Sequence, residues 1–143
     1  MSEKYVATSD ITIAASADRV WAVLTDPEAI KEFMFGADVE TDWSPGSSIT
    51  WRGEWEGKAY ADRGGILEVE PGRRLVMTHF SPLSGQEDKP ENYHTLTWTL
   101  EEEIGGTKLT LSQDNNASAE AAEHSKGMWD QLVASVKEIA ERP

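Results

Sequence analysis

Near the end of this 143-residue chain, Ala122, Ser125, Trp129, Leu132, Val136 and Ile139 recur at steps of 3, 4, 3, 4 and 3. That spacing is the apolar stripe of an amphipathic helix, and Val133 and Ala140 widen it. It predicts one long helix over residues 117–140, with Glu120 and Glu123 near its positive end. Most of what precedes it has the two-residue alternation of strands, so the stripe has a sheet to cover. A long helix laid across a curved sheet can enclose a cavity. The same feature therefore bears on architecture and on ligand binding.

The rest of the chain fills in that picture. Tyr5, Ala7, Ile11 and Ile13 share one parity and give a half-buried first strand. Ser16 is placed to cap a short helix over residues 17–25, with Val20, Trp21 and Leu24 on its apolar side. Asp26-Pro27 opens a second short helix that runs through Phe33. Strand signals follow over residues 39–43, 49–55, 58–70, 73–80 and 94–101, and again around Leu109 and Leu111. Glu56-Gly57, Pro71-Gly72 and Gly105-Gly106 read as turns, and Gly64-Gly65 as a bulge or bend inside the longest strand. The polar stretch 81–92 reads as a mobile loop. Consecutive strands joined by short turns imply antiparallel pairing. The expectation is a single α+β domain over residues 1–143. A curved antiparallel sheet of about seven strands would wrap around the long C-terminal helix, with two short helices after the first strand.

Charge and composition exclude several classes of function. The chain carries 26 acidic and 13 basic residues, a net charge of −13, with no basic cluster able to neutralise phosphates. Nucleic acid and anionic membrane surfaces are disfavoured partners. Cysteine is absent, which removes disulfides, thiolate metal sites and cysteine nucleophiles. No apolar run has bilayer-spanning length, and the start MSEKYVATSD has no apolar signal region, so the cytoplasm is the expected compartment. The three histidines, His79, His94 and His124, show no metal-ligand spacing. No nucleophile elbow and no glycine-rich phosphate loop is present, so no motif implies a metal or cofactor.

What the sequence offers for a site is aromatic. Six tryptophans are a heavy load for this length, and they can pack a core or line a pocket. Trp21, Phe33, Trp51, Trp98, Trp129 and Val133 are the expected walls of a cavity between sheet and helix, with His94 and Gln113 as polar contacts. His94 shares the parity of Leu96, Trp98 and Leu100, and Gln113 and Asn115 that of Leu109 and Leu111. His94 is also the one candidate for proton transfer, provided a carboxylate such as Asp62 or Glu68 faces it. Asp62, Arg63 and Glu68 could form one internal polar patch, but the Gly64-Gly65 bend leaves their facing open, as it is for His79.

Three segments carry a family resemblance. "ITIAASADRVWAVLTDPEAIKEFM", "GGILEVEPGRRLVMTHF" and "GTKLTLSQDN" followed by "GMWDQLVASVKEI" occur in this order. Together they resemble the START-like helix-grip fold, the SRPBCC superfamily, and within it the activator of heat-shock protein 90 ATPase homologue 1-like domains. The resemblance spans nearly the whole chain. It implies a hydrophobic cavity between the sheet and the long helix, where superfamily members bind lipids, hormones or polyketides and some catalyse cyclisation or hydrolysis. Co-chaperone activity belongs to larger relatives that carry an additional N-terminal domain, for which this chain is expected to have no room. The expected function is binding of a hydrophobic or aromatic small molecule. The alternatives are a cyclase- or hydrolase-type enzyme using the same cavity, and a protein-interaction or stress-response module without a ligand. A protein partner or a second copy of the chain stays open.

Overall fold

The computed structural model describes residues 5–142. Seven strands form one antiparallel sheet in the order β1-β7-β6-β5-β4-β3-β2. In chain order they are β1 (Tyr5–Ile13), β2 (Asp38–Thr41), β3 (Ser48–Trp55), β4 (Lys58–Glu70), β5 (Arg74–His79), β6 (His94–Glu103) and β7 (Gly106–Asn116). Strands β2 to β7 form a meander, and β1 closes onto the outer edge of β7, with Ile13 opposite Thr107 and Ser9 opposite Leu111. Helices α1 (Ala17–Leu24) and α2 (Pro27–Phe33) carry the chain from β1 to β2, and α3 (Ala119–Ala140) ends the fold. This is the α+β helix-grip arrangement that the stripe and the strand order predict.

Local chemistry explains the helix starts. Ser16 accepts from the Arg19 amide, Asp26 from the Glu28 amide and Ser118 from the Ala121 amide, so each helix begins on a side-chain cap. At the other end of α3, Arg19 donates to the carbonyls of Ile139 at 3.1 Å and Ala140 at 3.3 Å. The Ile139 carbonyl also accepts from the Arg142 amide at 3.3 Å, and a cation suits the negative end of the dipole. The stripe does its expected work over the second half of α3: Trp129, Leu132, Val133, Val136, Ile139 and Ala140 are buried against the sheet and the two short helices. Ala122 and Ser125 are only partly covered, because the helix starts beyond the edge of the core.

The last helix starts at Ala119, β5 is one residue shorter at each end, and the loop 81–92 holds two short 3-10 turns; two further differences from the sequence reading bear on the site. Strand β2 stops at Thr41, not at residue 43, because Trp43 takes a left-handed backbone (φ 57°) and turns the chain toward β3. The register shift in β4 falls between Ile66 and Glu68, just past the paired glycines. Gly64 and Gly65 themselves mark the point where β4 changes partner. It pairs with β3 as far as Gly65, and with β5 from Ile66. A Cβ on Gly64 would sit 1.7 Å from the Thr78 carbonyl oxygen, so only glycine permits this approach of the two backbones. The Gly65 amide donates to Thr78 Oγ1 at 2.9 Å, and Arg63 and Phe80 exchange main-chain bonds across the same crossing. This crossing sets the two strand ends that build the site.

Candidate functional site

The interior beneath α3 is filled. Phe33 and Trp98 meet edge to face at 6.2 Å, and the gap that they share with Trp51, Trp129 and the surrounding aliphatic chains is only about 20 Å³. That is room for at most a water molecule. An open pocket of about 560 Å³ lies on the other side of Trp51 and Trp129, between the turn after α2, the β3–β4 hairpin, the end of β5 and the middle of α3. The two indoles, with Met34, border both the narrow gap and the larger pocket. The indole Nε1 of Trp129 donates to Gln113 Oε1 at 3.2 Å, which fixes one of them in place.

The pocket walls are of two kinds. Met34, Phe35, Ala37 and Met128 supply the apolar part. Phe35 is about half exposed and holds a left-handed backbone (φ 57°) next to Gly36 (φ 92°). A bulky side chain in that conformation is unusual, and the strained turn keeps the Phe35 ring at the mouth instead of in the core. The polar part comes from β3 to β5: Glu54, Glu56, Lys58, Tyr60, Asp62 and His79. Glu56 and Gly57 both take positive φ at the hairpin tip, as the sequence predicts for a tight two-residue turn. The Tyr60 ring lies over Gly53, where a Cβ would come within 2.7 Å of its hydroxyl.

The most distinctive feature of the pocket is a histidine–carboxylate pair. His79 Nε2 lies 2.8 Å from Asp62 Oδ2, and the two side chains are 14% and 15% exposed. With a carboxylate as its partner, Nε2 carries a proton. Trp51 packs against the imidazole at 5.0 Å. The far atoms of the pair, Asp62 Oδ1 and His79 Nδ1, are buried and have no hydrogen-bond partner among the described residues. Burying an unpaired polar atom costs about 1–3 kcal/mol, so the pair holds a standing demand for a partner. Tyr60 is held above the usual phenol range, first by burial and then by the charge of Asp62.

The expected site residues are therefore distributed over two places. Trp51 and Trp129 line the open pocket. Phe33 and Trp98 lie in the closed core, Val133 is fully buried under α3, and Trp21 packs half-buried at the core margin. Gln113 acts on the pocket through Trp129. His94 Nδ1 meets the Asp114 carbonyl at 2.9 Å, and its ring stacks at 6.5 Å on His79, which is the histidine that faces Asp62. Arg63 and Glu68 point outward, to Asp88 and Arg74. Sequence reasoning passed over Met34, Phe35, Tyr60 and Met128, and left the facing of His79 open. A signal existed for the histidine: Leu75, Met77 and His79 share one parity, and the first two are buried. Among the described residues no group of histidine and carboxylate side chains is arranged to hold a metal, and no helix is long and apolar enough to cross a membrane.

Sheet order, buried helix and pocket together define a protein of the helix-grip class. Residues 14–141 match the family described as activator of Hsp90 ATPase homolog 1-like protein, and the chain belongs to that family. It is similar to the solution structure of ChR145 from Cytophaga hutchinsonii, with 43% identity, a TM-score of 0.85, and coverage of 99% of this chain and 97% of that one. The fold alone is shared with MLL2253 from Mesorhizobium loti, at 20% identity and a TM-score of 0.78, covering 96% of this chain and 97% of that one. It is shared likewise with a structure described as the Aha1 dimer from Colwellia psychrerythraea, at 18% identity and a TM-score of 0.75, covering 96% and 97%. No curated protein matches the sequence.

Proposed function

We propose that this protein binds a small molecule with an apolar body in the open pocket, as a single cytoplasmic domain acting on the ligand by binding alone. One observation carries this reading: a pocket of about 560 Å³ whose floor is Trp51 and Trp129. That volume is within the range of small-molecule sites, which are mostly apolar with a few placed polar groups. Phe33, Trp98 and Val133 support the floor from below and keep the ligand out of the core. The occupant sits at the mouth of the fold instead of beneath the whole helix.

Titration with Nile red, a neutral dye that brightens in apolar surroundings, tests the reading. Saturable one-to-one binding is expected. Met128→Glu, which places a charge on an exposed wall residue, is expected to weaken it about tenfold, or ~1.4 kcal/mol. Absence of saturable binding, or binding indifferent to this substitution, would count against the pocket. Family membership favours a second reading, in which Phe35 and Met128, both exposed at the mouth, take an apolar side chain of a protein partner or of a second copy. Sedimentation velocity, and an Hsp90 ATPase assay with and without this protein, separate that reading from the first.

A further inference from the structure

We propose that the pocket selects ligands that carry a protonated amine on their apolar body, and rejects carboxylates. This rests on the ligand-binding reading above and names the chemistry that the site prefers. The first observation is the pair at the inner wall. Asp62 Oδ1 is buried without a hydrogen-bond partner among the described residues, and a carboxylate oxygen accepts. A ligand meets that demand only by bringing a donor. A carboxylate brings none and would leave Asp62 Oδ1 as it is.

The second observation is the sign of charge around the pocket. Glu54, Glu56 and Asp62 line it against one cation, Lys58. The chain as a whole carries −13, so no distant positive field offsets this. Tyr60 and Asp62 are neighbours on one face of β4, and burial followed by the charge of Asp62 raises the Tyr60 phenol. The Tyr60 phenol therefore stays neutral and adds no countercharge. Next to the indoles the local dielectric is low, and both attraction of a cation and repulsion of an anion are stronger there than in bulk water.

The third observation is aromatic. Trp51 and Trp129 are buried at the pocket floor, and the partly exposed Tyr60 ring is of the kind whose face attracts cations. An alkyl- or arylalkylammonium group thus finds a carboxylate acceptor and an aromatic ring in one place, with apolar walls for the remainder of the ligand. Met34 and Met128 are flexible thioether chains able to give way as the head group reaches Asp62. A neutral alcohol satisfies the donor requirement without the charge and falls between the two extremes.

Calorimetric titration near neutral pH with naphthylmethylamine, naphthylmethanol and naphthoic acid isolates the head group on one aromatic body. The amine is expected to bind about tenfold tighter than the alcohol, and the acid more weakly than either. Asp62→Asn is expected to bring the amine within about threefold of the alcohol. The exposed double substitution Glu54→Gln with Glu56→Gln is expected to narrow the amine-over-acid ratio, and it carries the test if Asp62→Asn does not fold. An acid that binds as well as the amine, or an amine preference unchanged in both variants, overturns the proposal. Binding of alcohol or acid without amine preference overturns it while leaving the ligand-binding reading intact. Failure of all three ligands to bind overturns both.

Discussion

At the scale of single residues, the site exists because Gly64 has no side chain. Its Cα faces the Thr78 carbonyl so closely that an added methyl would have to displace main chain, not the loose end of a side chain. Gly64→Ala is therefore expected to lower stability by about 2–4 kcal/mol, the range of overpacking and backbone-strain substitutions. Urea denaturation measures this, and a loss under about 0.5 kcal/mol would show that the crossing yields easily. Gly65→Ala is the natural control, since its nearest neighbours lie at 3.8 Å and beyond. The glycine pair was legible in the sequence as a bend. The meeting of Asp62 with His79 was not, because it depends on the registers of separate strand pairs. Asp62 is set by its place opposite Trp51, and His79 by its place opposite His94. Parity says which face a residue takes, but not which residue of another strand it will meet. The same limit explains why His94 looked the better candidate: its inward parity was readable, whereas its bond to the Asp114 carbonyl was not.

At the scale of elements, α3 is clasped to β1 and to the loop that follows it by polar contacts outside the apolar stripe. Asp130 accepts from the Ser9 hydroxyl, Lys137 donates to the Thr12 carbonyl at 3.1 Å, and the Ala14 amide donates to Glu141 at 2.7 Å. These contacts hold two carboxyls below their usual range. Asp130 is lowered chiefly by Ser9 and then by Lys126, and Glu141 chiefly by Lys137 and then by the Ala14 amide. A carboxyl with a lower pKa in the folded state takes its proton more readily when unfolded, so stability falls on the acid side. The contribution is complete above the ordinary carboxylate range of about 4 and is lost as pH falls through the depressed folded values. Thermal melts from neutral pH to about pH 3 are expected to show a steep acid-side drop in Tm, shallower in Asp130→Asn. Equal slopes would mean that the clasp is not felt. The stripe itself was the most readable element of the chain, because burial on one helix face writes directly into periodicity. The clasp left no such trace, since Lys137 and Glu141 meet main-chain groups of Thr12 and Ala14, and the buried Ser9 does not by itself name Asp130 as its partner.

At the scale of the whole molecule, the charge of −13 has two consequences of opposite sign. Carboxylates distributed over one compact surface repel one another in the folded state more than in the expanded chain. Salt screens that repulsion: the Debye length falls from about 30 Å at 0.01 M to about 8 Å at 0.15 M. The ion pairs that salt also weakens, such as Lys31 with Asp38 and Arg52 with Glu40, are half or more exposed and contribute little each. Relief of repulsion therefore wins, and Tm is expected to rise over this range of ionic strength. The same screening acts against an ammonium ligand, whose attraction to Glu54, Glu56 and Asp62 is part of its affinity. Titrations at the two salt levels should show naphthylmethylamine binding more weakly at high salt, while Nile red, uncharged, binds alike at both. A protein that grows more stable as its ligand binds less well separates the two effects cleanly. General softening of the fold by salt would lower Tm and affinity together, and would weaken the neutral dye as much as the amine.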